Sequence, residues 1–232
     1  MRVLVTGAKG QLGTDVVREL NKRGHRSIPV DIEEMDITNF DVVEDVITRE
    51  NPDTVVHCAA WTAVDAAQDA ENKESVMRIN VKGTENIAKV CGKLNKKMVY
   101  ISTDYVFDGS GNRPWEADDE ASPLNVYGES KYEGELATKK YCMKYFILRS
   151  SWVFGAAGNN FVKTMIKLGR KMDELNVVDD QVGRPTYTPD FARLIIDMIE
   201  TENYGIYHTT NEGEYISWYD LAVAIFNIAK KA

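Results

Sequence analysis

The sequence is poor in the residues that build covalent staples, metal centres and nucleic-acid surfaces. Its three cysteines, Cys58, Cys91 and Cys142, are odd in number, far apart and set in apolar or helical segments with no Cys-x-x-Cys spacing. That excludes a disulfide framework and favours buried thiols over a redox or metal role, so no metal site is expected. Lysine and arginine never run beyond a pair, and 28 of them stand against 36 acids, for a net charge of −8 and a pI near 5.0. A surface that tracks phosphates needs the opposite balance, so nucleic acid is not an expected partner. No apolar stretch nears the ~18 residues of a membrane span. The chain opens on a strand-like Met1-Arg2-Val3-Leu4-Val5-Thr6-Gly7 and not on a signal peptide, so the expectation is a cytoplasmic protein that does not enter the membrane. Repeats, low-complexity tracts and linkers are also lacking. What remains is 232 residues, 44% of them hydrophobic, which suits one domain or one domain with a small appended lobe.

Short β-branched runs alternate with amphipathic stretches, the pattern of a parallel sheet covered by helices. Strands are expected at Arg2–Thr6, Arg26–Val30, Thr54–His57, Lys97–Ser102 and Tyr145–Arg149. Helices are expected at Gln11–Arg23, Phe40–Glu50, Lys73–Asn95 and Leu124–Lys140, all with apolar residues at helical spacing. Beyond Arg149 the pattern loosens into a helix near Asn160–Arg170, a strand at Leu175–Val178, a helix at Pro189–Glu200, a strand at Gly205–His208 and a last helix opened by a Ser217/Asp220 capping box. The chain therefore divides at about residue 150. The Gly- and Pro-bearing loop Thr103–Pro123 is too long for a simple connection and follows the fourth strand, on the sheet edge where α/β folds bind ligands.

Gly7-Ala8-Lys9-Gly10-Gln11-Leu12-Gly13 joins the first strand to the first helix in a Gly-x-x-Gly-x-x-Gly pattern. Glycines allow a tight turn and close approach to a pyrophosphate, and the helix N-terminus offers free N–H groups to the anion. With 16 glycines, this spacing arises by chance only about 0.08 times in such a chain, so a dinucleotide site is expected. Asp31, at the end of the second strand, can take the adenosine ribose hydroxyls, which favours NAD over a 2′-phosphate; a solvated strand-end acid is the alternative. Asp36-Ile37 could flank the adenine. The small residues after the third strand, Ala59, Ala60 and Thr62 around Trp61, would let the cofactor lie across its end. His57 reads better as a core histidine than as a base, Trp61 better as a packed wall than as a stacking platform, and Asn80 equally as a backbone clamp or a helix-surface residue.

Tyr127 and Lys131 sit four apart on one helix face. By counting alone such a pair is expected about 0.8 times, so its weight comes from its place after the long loop in a chain already expected to hold a nicotinamide. A phenol with a free pKa of ~10 becomes a useful acid when a neighbouring cation stabilises its anion, and Ser102 or Thr103 could supply a hydroxyl to the same oxygen.

Several longer stretches now carry a resemblance: Ala63-Val64-Asp65, Ser102-Thr103-Asp104-Tyr105-Val106-Phe107-Asp108-Gly109, Ser122-Pro123-Leu124-Asn125-Val126-Tyr127-Gly128, Arg149-Ser150-Ser151-Trp152-Val153-Phe154, Gly158-Asn159-Asn160-Phe161 and Asp180-Gln181-Val182-Gly183-Arg184-Pro185-Thr186. They resemble the extended short-chain dehydrogenase/reductase superfamily and, within it, the dTDP-4-dehydrorhamnose reductases. The resemblance implies an α/β doubly wound parallel (Rossmann) fold, with an NAD(P)-binding domain over 1–150 and, over 151–232, a mixed segment of substrate-lobe and returning Rossmann elements. It implies hydride transfer from NADH or NADPH to the C4 ketone of a dTDP-linked 4-keto-6-deoxysugar, giving dTDP-L-rhamnose for cell-surface polysaccharide. Tyr127 would donate the proton, Lys131 would lower its pKa and hold the nicotinamide ribose, and Thr103 would orient the ketone. Cofactor contacts would fall on Gly7, Gly10, Gln11, Leu12, Gly13, Asp31, Asp36, Ile37, Ala60, Trp61, Thr62, Tyr127 and Lys131, and substrate contacts on Thr103, Asp104 and Trp152, the last with a core aromatic as its alternative. Asn159, Asn160 and Arg184 could serve the substrate lobe or simply cap and solvate. Relatives of this type continue past the final helix, so the lobe is expected to be incomplete here, and a homodimer is one assembly the resemblance allows. The 4,6-dehydratases of the superfamily are similar but place Asp-Glu after the strand-four threonine, whereas Asp104 is followed by Tyr105, which favours simple reduction. The competing readings are another nucleotide-sugar reductase or epimerase, and a non-catalytic protein like the regulatory subunit of methionine adenosyltransferase; the intact Thr103, Tyr127, Lys131 set favours an enzyme.

Overall fold

The computed structural model describes residues 1–230. Strand β1 (Arg2–Thr6) leads through the glycine turn into α1 (Gln11–Lys22); β2 (Arg26–Val30), α2 (Phe40–Glu50) and β3 (Thr54–His57) follow. Next come α3 (Lys73–Met77), a π-helical turn (Arg78–Gly83), α4 (Thr84–Lys93), β4 (Lys97–Thr103), the long loop, α5 (Val126–Tyr141) and β5 (Tyr145–Ser150). The remainder is β6 (Val153–Phe154), α6 (Phe161–Gly169), β7 (Val182–Gly183), β8 (Thr186–Tyr187), α7 (Thr188–Ile199), β9 (Gly205–His208), β10 (Ile216–Ser217) and α8 (Trp218–Ala229). The expected Lys73–Asn95 helix is thus interrupted by a π turn, a local widening frequent at functional sites. The Leu175–Val178 strand does not form. Leu175 and Val177 pack instead against a small core between α6 and α8, burial that a short apolar run satisfies without strand pairing.

Six parallel strands form one sheet in the order β2-β1-β3-β4-β5-β9. Residues alternate faces along each strand: Val3, Val5, Val56, Val99, Phe146 and Leu148 bury against α1 and α7, while Leu4, Val55, Met98, Tyr100 and Ile147 bury against the α2/α4 side. Because β2 lies on one flank of β1 and β3 on the other, the connections part at the carboxyl ends of β1 and β3 and leave a crevice there, the usual ligand position of an open α/β sheet.

Helix α5 departs from its expected apolar face. Its buried residues are Gly128, Ser130, Lys131, Gly134, Glu135 and Thr138, while Leu124 is 74% exposed. Small residues let the helix lie close to β4, and the polar ones find partners there. Side-chain caps start the helices that position the site: Asn125 accepts from the Gly128 N–H at α5, Asn160 from the Lys163 N–H at α6, and the Ser217/Asp220 box forms at α8.

Candidate active site

A cleft of about 970 Å³ opens along the carboxyl ends of β1 to β5 and is closed on one side by β6, α6 and α8. One end is built by the glycine turn. Gly7 has φ of +62°, and a Cβ there would lie 2.8 Å from the Ala59 nitrogen; a Cβ on Gly13 would run into the Gly7 carbonyl oxygen. Gly10 caps α1 without any side-chain hydrogen bond, so the first N–H groups of the helix face the cleft unclaimed by a cap, as an anion site requires. These are the features of a dinucleotide cradle: a turn only glycine can make, a helix that must touch it, and a small residue, Ala59, opposite.

Of the residues singled out for the cofactor, Gly7, Gly10, Gln11, Leu12, Asp31, Asp36, Ile37, Ala60, Thr62, Tyr127 and Lys131 line this cleft. Gly13 and Trp61 do not. Gly13 is spent on the contact between helix and turn, while the Trp61 indole donates to the Ala63 carbonyl at 3.1 Å and its backbone is clamped by Asn80 on both sides. Asn80, buried on the π turn, also donates to Ser130 on α5 at 2.9 Å, so it is a backbone clamp and not a surface residue. Asp31 accepts the Lys9 and Ile32 backbone N–H groups at 3.0 Å each. The nearby Lys9 ammonium is already paired with Glu33 and Glu34, leaving this rim acidic. Asp36 closes a turn by accepting from the Thr38 N–H and hydroxyl.

His57 is a core residue. Its two ring nitrogens face the Thr6 and Thr84 hydroxyls at 2.7 and 3.1 Å, and burial, with the Lys131 charge adding, pushes its pKa down to about 3. The unfolded chain therefore binds a proton there between pH 6.5 and 3 that the fold rejects. Stability that is present above pH 6.5 should fall as pH drops through this window, by on the order of a few kcal/mol at full effect. His57→Gln should flatten the slope in urea titrations run at pH 4 and 7; an unchanged slope would contradict this. Burial likewise raises the Cys58 thiol to about 12, and Cys91 and Cys142 are buried and raised too.

At the centre of the cleft, Thr103 ends β4, Asp104 follows it, and Tyr127 and Lys131 project from the first turns of α5. Thr103 donates to the Asp104 carboxylate at 3.0 Å. Asp104 opens onto the cleft, yet the walls around it raise its carboxyl to about 6, desolvation outweighing the Thr103 hydrogen bond. The Tyr127 phenol stands above the ordinary tyrosine value because of burial first and the Asp104 charge second, with the Thr103 hydroxyl acting the other way. The groups that set this shift are burial, Asp104, Thr103 and Tyr105, and Lys131 is not among them. The ammonium is itself desolvated, its pKa lowered to about 7, and it lies over the Tyr100 ring at 4.3 Å. Tyr127 is kept in its protonated form, the form that donates. Tyr105, in the place of a second acid, turns its ring edge-on to Tyr127 at 5.9 Å between centroids.

The far wall is aromatic. Trp152 stacks on Trp218 with ring centroids 3.7 Å apart, and Phe161 lies 4.6 Å from the same indole. Trp152 has φ of +49°, costly for a bulky side chain by about 1–3 kcal/mol. It is held there by the Thr186 N–H on its carbonyl, the Thr186 hydroxyl on the Ser151 carbonyl, and the Trp218 stack. Trp218 was invisible in the sequence because it stands after the Ser217 cap, where a helix-core role suffices. Asn159 lines the cleft, whereas Asn160, besides capping α6, donates to Gln11 at 2.7 Å and ties the glycine turn to the aromatic wall. Arg184 lies against the Tyr215 ring, outside the cleft lining.

Comparison with known proteins gives this geometry its family. The family model described as the RmlD substrate binding domain matches residues 1–232. The chain is 43% identical to dTDP-4-dehydrorhamnose reductase of Aggregatibacter actinomycetemcomitans, over 98% of this chain and 79% of that protein. The chain belongs to the dTDP-4-dehydrorhamnose reductase family. It is also 37% identical to a dTDP-4-keto-6-deoxy-D-glucose reductase of Streptomyces niveus, over 98% of this chain and 78% of the other. The solved structure of dTDP-4-dehydrorhamnose reductase from Bacillus anthracis in complex with NADP superimposes with a TM-score of 0.94 at 43% identity, covering 99% of this chain and 80% of that one. Among the described residues no helix is long and apolar enough to cross a membrane, and no cluster of three or more metal-ligating side chains is found.

Proposed function

We propose that this chain reduces the C4 ketone of dTDP-4-dehydrorhamnose to dTDP-L-rhamnose, using NADH or NADPH. The observation that carries the reading is the convergence of Thr103, Tyr127 and Lys131 at the middle of a cleft whose one end is a dinucleotide cradle and whose other end is an aromatic wall. A regulatory protein has no physical need to bring these three together. A bound reduced nicotinamide supplies the hydride. The Gly7–Gly13 turn and the α1 N-terminus would hold its pyrophosphate, Asp31 its adenosine ribose, and Lys131 its nicotinamide ribose. Thr103 orients the ketone oxygen and Tyr127 passes its phenolic proton to it as the C4–H bond forms. The Trp152/Trp218 wall takes the apolar methyl edge of the deoxysugar and excludes water. Asp104 is the one carboxyl lining the centre of the cleft, Asp31 and Asp36 lying along the glycine-turn end; elimination of water calls for a further acid or base, so reduction fits better than dehydration.

The test is oxidation of NADH and NADPH by the chain with dTDP-4-dehydrorhamnose and with the dTDP-4-keto-6-deoxy-D-glucose epimer. Faster oxidation with the first supports the reading, and absence of sugar-dependent oxidation would contradict it. Trp218→Ala should raise KM for the sugar nucleotide about tenfold, the loss of one well-packed aromatic contact of ~1.4 kcal/mol, with kcat less affected; equal KM would remove Trp218 from the substrate wall. Asp31→Ala should shift the kcat/KM ratio of NADPH to NADH upward by about tenfold through removal of one repulsive charge near the 2′-phosphate, and a constant ratio would refute that role.

A further inference from the structure

Glu135 lies on α5 one turn beyond Lys131, fully enclosed. Its Oε1 accepts from the Ser102 hydroxyl at 2.6 Å and from Arg149 Nε at 2.9 Å, and its Oε2 accepts from Arg149 Nη2 at 2.8 Å. Arg149, also buried, donates Nη1 to the Ala117 carbonyl of the long loop at 3.1 Å and covers the Phe107 ring at 5.0 Å. The pair therefore touches every piece that carries the centre of the cleft: Ser102 precedes Thr103, Glu135 follows Lys131, and Ala117 belongs to the loop that Asp104 begins. Stability alone gives little reason for it, because packed hydrophobic residues commonly serve as well as a buried ion pair or better.

Lys131 supplies a reason. Burial works against its charge, and the groups turned toward it are few. The neutral His57 and the Cys58 thiol stand at the end of β3, the Tyr100 ring on β4, the Tyr127 phenol on its own helix, and Arg78 of the π turn and Asp104 line the same cleft farther along. Glu135 is the one carboxylate among the groups that favour the ammonium, and the first of them in size. We propose that Glu135, locked by Arg149 and Ser102, is a positioning residue that favours the ammonium form of Lys131 and so keeps the centre of the cleft competent up to neutral pH. The inference rests on the proposed reading of Lys131 as a cation in the reaction. Unlike Lys131, Glu135 is walled off from cofactor and substrate, and acts only through its neighbour.

The test measures Lys131 itself as well as turnover. Acylation of Lys131 by acetic anhydride, followed by mass spectrometry across pH 5–10 on the whole chain, should show a midpoint about one pH unit lower in Glu135→Gln than in the wild type. The alkaline limb of kcat/KM should move down with it, while activity at pH 6 stays within about threefold. Glu135→Asp should restore part of both. If Glu135→Gln fails to fold with Arg149 left unpaired, the double variant Glu135→Leu/Arg149→Met removes that strain and should still show the lowered midpoint. A merely structural pair would lower the melting temperature and the rate at all pH values alike and leave midpoint and limb in place, and that result, in either variant, would overturn the proposal. Because acylation needs no turnover, a chain without reductase activity would refute the functional reading while the midpoint still judged Glu135.

Discussion

Tyr127→Phe should lower kcat by about a thousandfold, the scale of a removed general acid, while leaving the dissociation constants for NADH and for the sugar nucleotide within about threefold. The substitution takes away one oxygen and keeps the ring that meets Tyr105 edge-on, so folding and packing persist. The size of the effect follows from the electrostatics of the site. Burial and Asp104 together hold the phenol protonated, the form that can donate. Asp104 itself ionises at about 6, and above that pH its charge reinforces the protonated phenol. The donor therefore stays protonated through neutral pH, so a fall in the wild-type rate near pH 7 should follow Lys131 and not the tyrosine. Tyr127→Phe retaining more than a tenth of wild-type turnover would remove Tyr127 as the donor.

Gly13→Ala should raise the cofactor dissociation constant on the order of a hundredfold and should also destabilise the fold. The sign is diagnostic. Within a helix, alanine ordinarily gains about 1 kcal/mol over glycine, yet here the new methyl has nowhere to go, since it meets the Gly7 carbonyl oxygen and lies 2.9 Å from the Ala8 Cα. Both are backbone atoms of the turn proposed to cradle the pyrophosphate, so relief requires the turn to move away from the α1 N-terminus. Gly24→Ala is the control, since a Cβ there meets nothing within 4 Å, although its φ of +76° carries its own strain. Isothermal titration with NADH distinguishes the two: only Gly13→Ala should show the weakened binding. Tight binding by Gly13→Ala would show that the turn does not hold the dinucleotide.

Much of this was legible in the sequence because it is written in local terms. Strands β1, β3, β4 and β5 are short apolar runs buried along most of their length, β2 is an edge strand with only Val30 buried, and the bounds of all five differ from those expected by no more than a residue. The glycine turn is equally local, as is the Ser217/Asp220 box, whereas the Asn125 cap went unread because the helix was expected to start at Leu124. What the sequence hid is set by contacts distant along the chain. The face of α5 looked as though it should be apolar, but its small and polar residues are paid for by Ser102 on β4 and Arg149 on β5. The Leu175–Val178 run has β-like composition and nothing to pair with. Trp218 gains its role only because Trp152, 66 positions earlier in the numbering, is turned into a left-handed conformation beneath it. The burial that raises the Tyr127 phenol is hidden for the same reason, since it depends on walls that the spacing between Tyr127 and Lys131 does not report.

The most direct test of the central claim follows the transferred atom. The chain is incubated with dTDP-4-dehydrorhamnose and NADH carrying deuterium at nicotinamide C4, on each face in turn, and the sugar nucleotide is examined by NMR and mass spectrometry. The account predicts dTDP-L-rhamnose with one deuterium at C4, from one face of the nicotinamide only, and none at C3 or C5. Deuterium at another carbon, a product other than dTDP-L-rhamnose, or cofactor oxidation without label in the sugar would contradict it.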